Sequence, residues 1–308
     1  MTDSAPPRAR DFALRDLGSL DDQALRVFLQ PGEAGLSPRL LGRAMQNEHP
    51  GLRSRVLDAL SPEARDEYVA AEQKPASRAE VEEAQRAVVS HLFWPLLYWH
   101  DPCAYEELVA GERIHPRILD ALDLEGRTVC DVGAGAGRFT LFAARRAARV
   151  VAVDGMPPLL GRLELLVREQ GLANVEVRRG SFDALPLEDG SVDVAVACSS
   201  LTSQAPWGGE AALAELDRIV RDGGEIAVIW PDRPEWFRER GFVHLSAPGN
   251  DSLFFADPET AERICRDFYS DVAAAWVVEH RASAVPFRAL GIAPPNDACL
   301  RVVRKRRP

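Results

Sequence analysis

The stretch Val129-Cys130-Asp131-Val132-Gly133-Ala134-Gly135-Ala136-Gly137-Arg138-Phe139-Thr140 decides the fold. In it, an apolar run that contains an acid near its end is followed by three alternating glycines and then by residues that can enter a helix. Glycine allows the backbone to approach a ligand closely and to adopt positive φ angles. The stretch therefore predicts a buried strand, a ligand-binding turn and a helix, an arrangement that several nucleotide-binding folds share.

Two features of this glycine loop distinguish between possible cofactors. The glycine spacing is GxGxG, whereas the dinucleotide fingerprint is GxGxxG with a pyrophosphate at the helix N-terminus. In addition, Asp131 lies two residues before Gly133. A carboxylate there would repel a pyrophosphate, but it suits the cationic amino group of S-adenosylmethionine (SAM). The loop therefore favours SAM over a nicotinamide dinucleotide.

Two more acids follow the next two predicted strands. Asp154 ends the second strand, where an acid can accept from both ribose hydroxyls of either cofactor. Asp183 follows the third strand and can accept from an adenine amine, with Phe182 or Met156 beside the ring. One strand-terminal Asp often only caps a loop or a helix. Three of them at the ligand-binding edge of an open α/β sheet indicate a binding site.

Short β-branched runs alternate with amphipathic helices from about residue 113 onward. This alternation predicts a mostly parallel sheet that is covered by helices on both faces. The predicted strands are 128–132, 150–153, 175–177, 192–196, 225–230 and 299–303, and the predicted helices are about 137–147, 157–171, 210–220 and 258–269. The glycines at 223 and 224 are expected to stop the third of these helices.

Several of these segments resemble the motifs of class I SAM-dependent methyltransferases, most closely the small-molecule branch called type 11. The segments are Asp131–Gly137, Asp154, Asp183, Cys198-Ser199-Ser200 and Arg221–Glu225. The resemblance covers roughly residues 113–231, with a less specific tail. It implies a doubly wound, mostly parallel, seven-stranded Rossmann-like sheet and methyl transfer from SAM to a small-molecule oxygen, nitrogen or carbon acceptor.

The resemblance also implies roles for single residues. Asp131 would hold the methionine amine, the glycines would line the cofactor, Asp154 would bind the ribose and Asp183 the adenine. The predicted cofactor-binding set is Asp131, Gly133, Ala134, Gly135, Gly137, Asp154, Met156, Ser181, Phe182, Asp183 and Cys198. The fourth strand is followed by Cys198-Ser-Ser-Leu-Thr and not by the Asn-Pro-Pro-aromatic motif of enzymes that methylate amino groups of DNA or glutamine, which disfavours those substrates.

The sequence does not single out a catalytic residue. In-line displacement at a sulfonium needs mainly positioning and exclusion of water, and a base only if the acceptor arrives protonated. Weak candidates are His100, Ser200 and His244. His100 could belong to a lid over the pocket or pack two domains together, whereas His115 is expected to begin a helix. Ser200 belongs to the loop after the fourth strand, which either faces the acceptor or caps the next helix.

The first third of the chain is predicted to be helical, because capping serines recur and no strand-like alternation occurs before residue 100. Expected cap positions are Ser19, Ser37, Ser61 and Ser77. The domain prediction is a disordered tail at 1–10, an all-helical interaction or cap domain at 11–92, a connector or lid at 93–112, and a methyltransferase domain at 113–308.

Three segments of that helical region resemble the C-terminal helical domain of the flagellar motor switch protein: Leu20–Leu29, Gly51–Ser61 and Arg78–Val89. The resemblance implies a module for protein contact, dimerisation or docking, without a flagellar role. At Leu36-Ser-Pro-Arg-Leu-Leu-Gly the chain differs from that family. The surface by which the family's domain binds its partners therefore need not be present in this chain. Alternatively, the helices form a cap that completes the methyltransferase pocket.

Composition restricts the other functions. The formal net charge of the 308 residues is −10, which argues against nucleic acid as a partner. Five scattered cysteines without a CxxC pair predict neither a disulfide framework nor a zinc site, and favour a reducing compartment. Because neither a signal peptide nor a membrane-spanning stretch is recognisable, the expectation is a cytoplasmic protein without membrane contact.

Three functions remain compatible with the sequence. The favoured one is an active methyltransferase. A SAM-binding sensor or scaffold with output through the helical region is the alternative, and a nicotinamide-dependent oxidoreductase is disfavoured by Asp131 and by the glycine spacing.

Overall fold

A computed structural model of the chain describes residues 12–29, 36–249 and 251–305. The tail predicted to be disordered, residues 1–10, lies outside the described residues. The chain divides into two compact units, one formed by Arg10–Asp101 with Gln204–Pro206 and the other mainly by Pro102–Ser203 and Trp207–Pro308. The division at Asp101/Pro102 falls inside the segment 93–112, which forms two helices in the structure.

The N-terminal unit is helical throughout its described part, as predicted. Its elements are a 3-10 helix, Leu14–Ser19, and the helices α1 (Asp22–Phe28), α2 (Pro38–Ala44), α3 (Pro50–Ala59), α4 (Pro62–Gln73), α5 (Arg78–His91) and α6 (Phe93–His100). Helix α2 packs against α4 and α5. The apolar stripe of α5 that the spacing of 3 and 4 predicts, Val81, Ala84 and Val88, is buried.

Side-chain caps start these helices where the sequence predicts them, with one exception. The hydroxyls of Ser37, Ser61 and Ser77 accept hydrogen bonds from backbone amides at the starts of α2, α4 and α5. The prediction for Ser19 is wrong: Asp21 caps α1 by accepting from the Ala24 amide at 2.8 Å. Because residues 14–19 already form a 3-10 helix, Ser19 stands at its end and donates back to the Asp16 carbonyl.

The second unit contains a seven-stranded sheet. Its strands are β1 (Thr128–Val132), β2 (Arg149–Asp154), β3 (Val175–Arg179), β4 (Val192–Cys198), β5 (Val220–Ile229), β6 (Val243–Ser246) and β9 (Asp297–Val302), in the order β3-β2-β1-β4-β5-β9-β6. The first five strands run parallel, and β9 is antiparallel to both of its neighbours. The predicted doubly wound, mostly parallel, seven-stranded sheet is thus confirmed.

Helices cover both faces of this sheet. The helices of this unit are α7 (Pro102–Ala110), α8 (Pro116–Asp120), α9 (Thr140–Ala143), α10 (Pro157–Glu169), α11 (Gly209–Ile219), α12 (Pro234–Arg238), α13 (Pro258–Phe268), α14 (Asp271–His280) and α15 (Phe287–Leu290). Helices α8 to α12 pack along the sheet, whereas α13, α14 and α15 belong to a separate apolar cluster. Successive strand residues point to opposite faces, so Cys130 joins the core beneath α11 while Val129 joins the core beneath α8. Burial on both sides explains why the central strands β1, β2 and β4 are mostly apolar.

Two local predictions in this unit are wrong. The helix expected at 137–147 is shortened to α9, since the backbone of Gly137 has a φ of +98° and the Asn174 amide donates to the carbonyls of Ala144 and Ala147. Gly223 and Gly224 do not stop a helix: α11 ends at Ile219, and both glycines lie inside β5.

The segment between β6 and β9 was not predicted in detail beyond one helix. It carries a two-stranded sheet, β7 (Ser252–Phe254) with β8 (Ala284–Pro286), and the pair α13 and α14. Asp257 caps α13 by accepting from the Thr260 amide at 2.7 Å, as the sequence predicts. In the part of the chain that the structure describes, no helix combines the length and apolarity that crossing a bilayer requires.

Candidate functional site

A pocket opens in the second unit where β1 and β4 reach their carboxyl ends. This is the edge at which open α/β sheets bind ligands. The pocket is lined by residues from α7, the glycine loop and the end of β4: Tyr105, Val109, Asp131, Gly133, Ala134, Ala136, Arg138, Phe139 and Cys198. Four members of the predicted cofactor set, Asp131, Gly133, Ala134 and Cys198, are therefore brought together here.

The glycines of the loop serve different purposes. Gly133 has a φ of +74°, and a Cβ placed on it would lie 2.4 Å from the Cβ of Ser200, so only glycine fits. A Cβ on Gly137 would lie 2.5 Å from a methyl carbon of Leu163 on α10. Gly137 is thus required for packing against α10, and it is not among the residues that line the pocket.

Asp131 is the most unusual group in the pocket. Its side chain is 1% exposed, and its Oδ2 accepts a hydrogen bond from the hydroxyl of Thr140 at 2.5 Å. Its Oδ1 is buried and has no hydrogen-bond partner among the described residues. Burial raises the pKa of the Asp131 carboxyl to about 7, the Thr140 hydrogen bond opposes that rise, and the neighbouring Asp154 adds to it.

Asp154 holds the glycine loop in place. Its Oδ2 accepts from the Gly135 amide and its Oδ1 from the Met156 amide, each at 2.8 Å. Burial raises the pKa of Asp154, and the hydrogen bonds from these backbone amides oppose the rise. Since a carboxylate has about four acceptor sites, Asp154 retains capacity for hydroxyl donors.

The remaining predicted cofactor residues lie after β2 and after β3. The hydroxyl of Ser181 donates to Oδ1 of Asp183 at 2.6 Å, and Asp183 is exposed. The ring of Phe182 reaches the loop, because its Cζ lies 3.0 Å from the position that a Cβ on Gly133 would occupy. Met156 is buried at the start of α10.

The pocket offers no strong base at neutral pH. Burial raises the pKa of the Cys198 thiol and of the Tyr105 phenol, each to about 12, so both groups stay protonated. Of these three lining residues, only Asp131 has a pKa near neutrality.

Sequence reasoning missed two residues that define one side of the pocket. Arg138 lies 2.7 Å from Oε2 of Glu112, with exposed fractions of 14% and 22%, and its guanidinium lies over the ring of Trp230 at 4.8 Å. The aromatic ring of Tyr105 approaches Gly135. Arg138 directly follows the last glycine, and that position was the available signal for its place in the pocket lining.

The three weak catalytic candidates lie in different places. The hydroxyl of Ser200 donates to the Val132 carbonyl at 2.7 Å, next to the pocket. Nε2 of His244 pairs with Oδ2 of Asp297 at 3.0 Å across β6 and β9. His100 belongs to the N-terminal unit, where its Nε2 lies 3.0 Å from the Ser19 hydroxyl. Neither histidine lines the pocket.

These residues fit SAM better than a dinucleotide. The buried, unpartnered Oδ1 of Asp131 suits a cationic amine and would repel a diphosphate. Asp154 suits a diol, because its carboxylate can accept from hydroxyls in addition to the two backbone amides. Among the described residues, no group of His, Cys, Asp and Glu side chains could hold a metal ion.

The same segment matches known proteins. A methyltransferase domain family matches residues 129–224. An uncharacterized methyltransferase of Mycobacterium tuberculosis is 35% identical over 134 residues, which is 42% of this chain and 51% of that protein. An uncharacterized methyltransferase of Schizosaccharomyces pombe is 36% identical over 107 residues, 34% of this chain and 39% of that protein. The chain thus spans about half the length, or less, of these curated relatives.

The fold is also similar to solved structures. A SAM dependent methyltransferase from Aquifex aeolicus has a TM-score of 0.37 and 19% identity, covering 67% of this chain and 92% of that one. Residues 129–224, which contain the glycine loop and the acids at the strand ends, thus match a methyltransferase domain, and SAM is the cofactor that this match supports.

Proposed function

We propose that the chain is a SAM-dependent methyltransferase that acts on an oxygen, nitrogen or carbon atom of a small molecule. The observation that carries the proposal is the carboxylate of Asp131, whose buried Oδ1 has no hydrogen-bond partner among the described residues and lines the pocket at the glycine loop. A buried, unpartnered carboxylate oxygen is costly for the fold, and a cationic ligand relieves that cost.

The chain's own residues would act mainly by positioning. Asp131 would bind the methionine amine, Asp154 would bind the ribose hydroxyls while it fixes the Gly135 amide, and Asp183 would accept from the adenine amine. When bound, SAM would supply a methyl group on a sulfonium: the acceptor atom would bond to the methyl carbon in line while the methyl–sulfur bond breaks and the thioether leaves. Since Cys198 and Tyr105 stay protonated at neutral pH, the pocket orients the acceptor and excludes water, and its cysteine and tyrosine do not deprotonate the acceptor.

The small-molecule acceptor is supported by two properties of the sequence. The net charge of −10 does not suit a nucleic-acid substrate. The segment after β4 reads Cys198-Ser-Ser-Leu-Thr, without the Asn-Pro-Pro-aromatic motif of the enzymes that methylate amino groups of DNA or glutamine.

Two measurements on the full chain test the proposal. Calorimetry with SAM, with its demethylated product and with NAD determines the cofactor, and we expect binding of the first two only. Incubation with SAM labelled on the methyl group, together with a metabolite extract, should yield a labelled small molecule. The variant Asp131→Asn should lose this transfer, whereas Asp123→Asn, an exposed acid paired with Arg127, should retain it.

Each outcome has a distinct meaning. Binding of NAD without SAM would overturn the proposal and favour an oxidoreductase. Tight binding of SAM without any labelled product would favour the sensor or scaffold.

We further propose that the helical segment 11–92 serves protein contact or self-association. The resemblance to the flagellar switch domain supports this role, and the matched family covers only residues 129–224. Sedimentation of the full chain at increasing concentration measures the self-association directly.

A further inference from the structure

Arg138 is the one cation that lines the described pocket, and it faces the same space as Asp131. We propose that Arg138 binds the α-carboxylate of the cofactor's amino-acid end, and that Glu112 and Trp230 position its guanidinium for this contact. The inference rests on the proposed function, since it assigns a second residue to the same ligand.

The described pocket is lined by one acid, Asp131, and one base, Arg138. Asp131 is 1% exposed with an unpartnered Oδ1, and the side chain of Arg138 is 14% exposed. An amino-acid end at neutral pH is a zwitterion with one ammonium and one carboxylate. A buried acid and a half-buried base that line one pocket match those two charges, whereas Asp131 alone would match only the ammonium.

The guanidinium of Arg138 is held by contacts with Glu112 and Trp230. A guanidinium has five N–H donors in one plane, and a carboxylate can engage two of them in parallel. Oε2 of Glu112 lies 2.7 Å from Nη2 of Arg138, and the central carbon of the guanidinium lies over the Trp230 ring, 4.8 Å from its centroid. These two contacts hold the guanidinium at the pocket, and its planar fork can engage a second carboxylate beside Glu112.

Trp230 is itself held in an unusual conformation. Its φ is +57°, its side chain is 9% exposed, and it directly follows β5 at the same edge of the sheet. A left-handed backbone at a bulky residue persists only where its surroundings enforce it, and such residues are concentrated at binding sites. Here the consequence is an aromatic platform beneath Arg138.

The test compares two ligands that differ in one group. SAM and decarboxylated SAM share the adenosine, the sulfonium and the amine, but only SAM carries the carboxylate. We expect calorimetry of the full chain to show that the parent binds SAM more tightly, and that Arg138→Met loses about tenfold to a hundredfold in affinity for SAM, the range for hydrogen bonds between charged groups. The affinity of Arg138→Met for decarboxylated SAM should not fall.

Further variants separate positioning from contact. Arg138→Lys keeps the charge but not the planar fork, so it should restore only part of the preference for SAM. Glu112→Gln should weaken the preference less than Arg138→Met does. Arg146→Met is the matched control, because Arg146 also lies over an aromatic ring, that of Phe142, and does not line the pocket.

Two results would overturn the inference: an equal loss of affinity for both ligands in Arg138→Met and Arg138→Lys, or no loss for either. The first would mean that the pair with Glu112 only supports the fold. If the parent bound neither ligand, the proposed function itself would fail, which is a separate outcome.

Discussion

The hydroxyl of Thr140 donates to Oδ2 of Asp131 across the glycine loop, at 2.5 Å, and both side chains are fully or almost fully buried. The two residues therefore connect the end of β1 to the start of α9 around the loop between them. This hydrogen bond stabilises the ionised form of a carboxyl whose environment otherwise favours the protonated form. It also leaves Oδ1 as the oxygen that can meet a ligand.

Replacing Asp131 should weaken the binding only of ligands that carry the amino-acid part of SAM. We expect Asp131→Ala to lose about 1.5–3 kcal/mol of SAM binding, the range for hydrogen bonds to charged groups. Binding of 5′-methylthioadenosine, which lacks the amine, should not weaken. Calorimetry with both ligands measures the difference, and unchanged SAM affinity in Asp131→Ala would refute the amine contact.

The cofactor affinity should depend on pH through the same group. Because burial raises the pKa of Asp131 to about 7, the free protein binds a proton there at lower pH, and that proton must leave before an ammonium binds. Affinity for SAM should rise by up to about tenfold per pH unit below 7 and level off above it. In Asp131→Asn this dependence should disappear, and its persistence would point to another group.

The raised pKa of Asp131 should affect the stability of the ligand-free protein in the opposite direction: SAM affinity rises with pH, whereas the unfolding free energy falls. A raised carboxyl pKa means that the folded state binds more protons than the unfolded chain between the ordinary Asp pKa of about 4 and about 7. The unfolding free energy of the parent relative to Asp131→Asn should therefore fall as the pH rises through this window. Denaturant titrations of the two proteins at several pH values measure it.

Removing the Thr140 hydroxyl should move the binding profile to higher pH. Thr140→Val keeps the shape of the side chain but removes the hydrogen bond that lowers the pKa of Asp131. We expect the midpoint of the affinity profile to rise by about one pH unit, in line with the strength of a hydrogen bond to a charged group. A profile identical to that of the parent would show that the hydroxyl does not control the carboxyl.

A methyl group on Gly133 should damage the site through a clash. Gly133→Ala combines a left-handed backbone with a Cβ that would lie 2.4 Å from the Cβ of Ser200. Gly171→Ala is the matched control, because Gly171 also has a positive φ, +65°, but nothing lies within 4 Å of its added Cβ. We expect the control to cost about 1 kcal/mol of stability and Gly133→Ala to cost more and to lose SAM binding. Equal losses in thermal unfolding would exclude the clash.

Ser200→Ala distinguishes a structural hydroxyl from one that faces the acceptor. Because this hydroxyl donates to the Val132 carbonyl at 2.7 Å, its removal should cost about 0.5–1.5 kcal/mol of stability. From the sequence we also expect turnover to be affected more than SAM affinity. Denaturant unfolding and single-turnover assays measure the two effects, and a loss of SAM affinity larger than the loss of turnover would contradict that expectation.

The parts of the fold that local chemistry controls could be predicted from the sequence. Ser37, Ser61 and Ser77 cap their helices because the capping oxygen and the amide it accepts from are only three residues apart. The sheet was predictable because strands buried on both faces must be apolar. In contrast, β6 was missed: it is short and its residues are largely exposed, so it carries no apolar pattern.

The site was predictable where one chain segment forms it. Asp131, Gly133 and Ala134 lie within four consecutive residues, and the loop brings them to one pocket. The partners of Arg138 come from elsewhere, Glu112 from the segment after α7 and Trp230 from the end of β5. Such a pairing depends on tertiary structure, and no spacing in a single sequence encodes it.

The position of β9 between β5 and β6 has a consequence for biosynthesis. Strand β6 hydrogen-bonds within the large sheet to β9 alone, and β9 is made about fifty residues later. While the ribosome is still producing those residues, β6 has no strand to pair with, and the outer edge of β5 is uncovered as well. Arrest of translation before residue 297 should therefore leave a nascent chain in which the outer edge of β5 is unpaired.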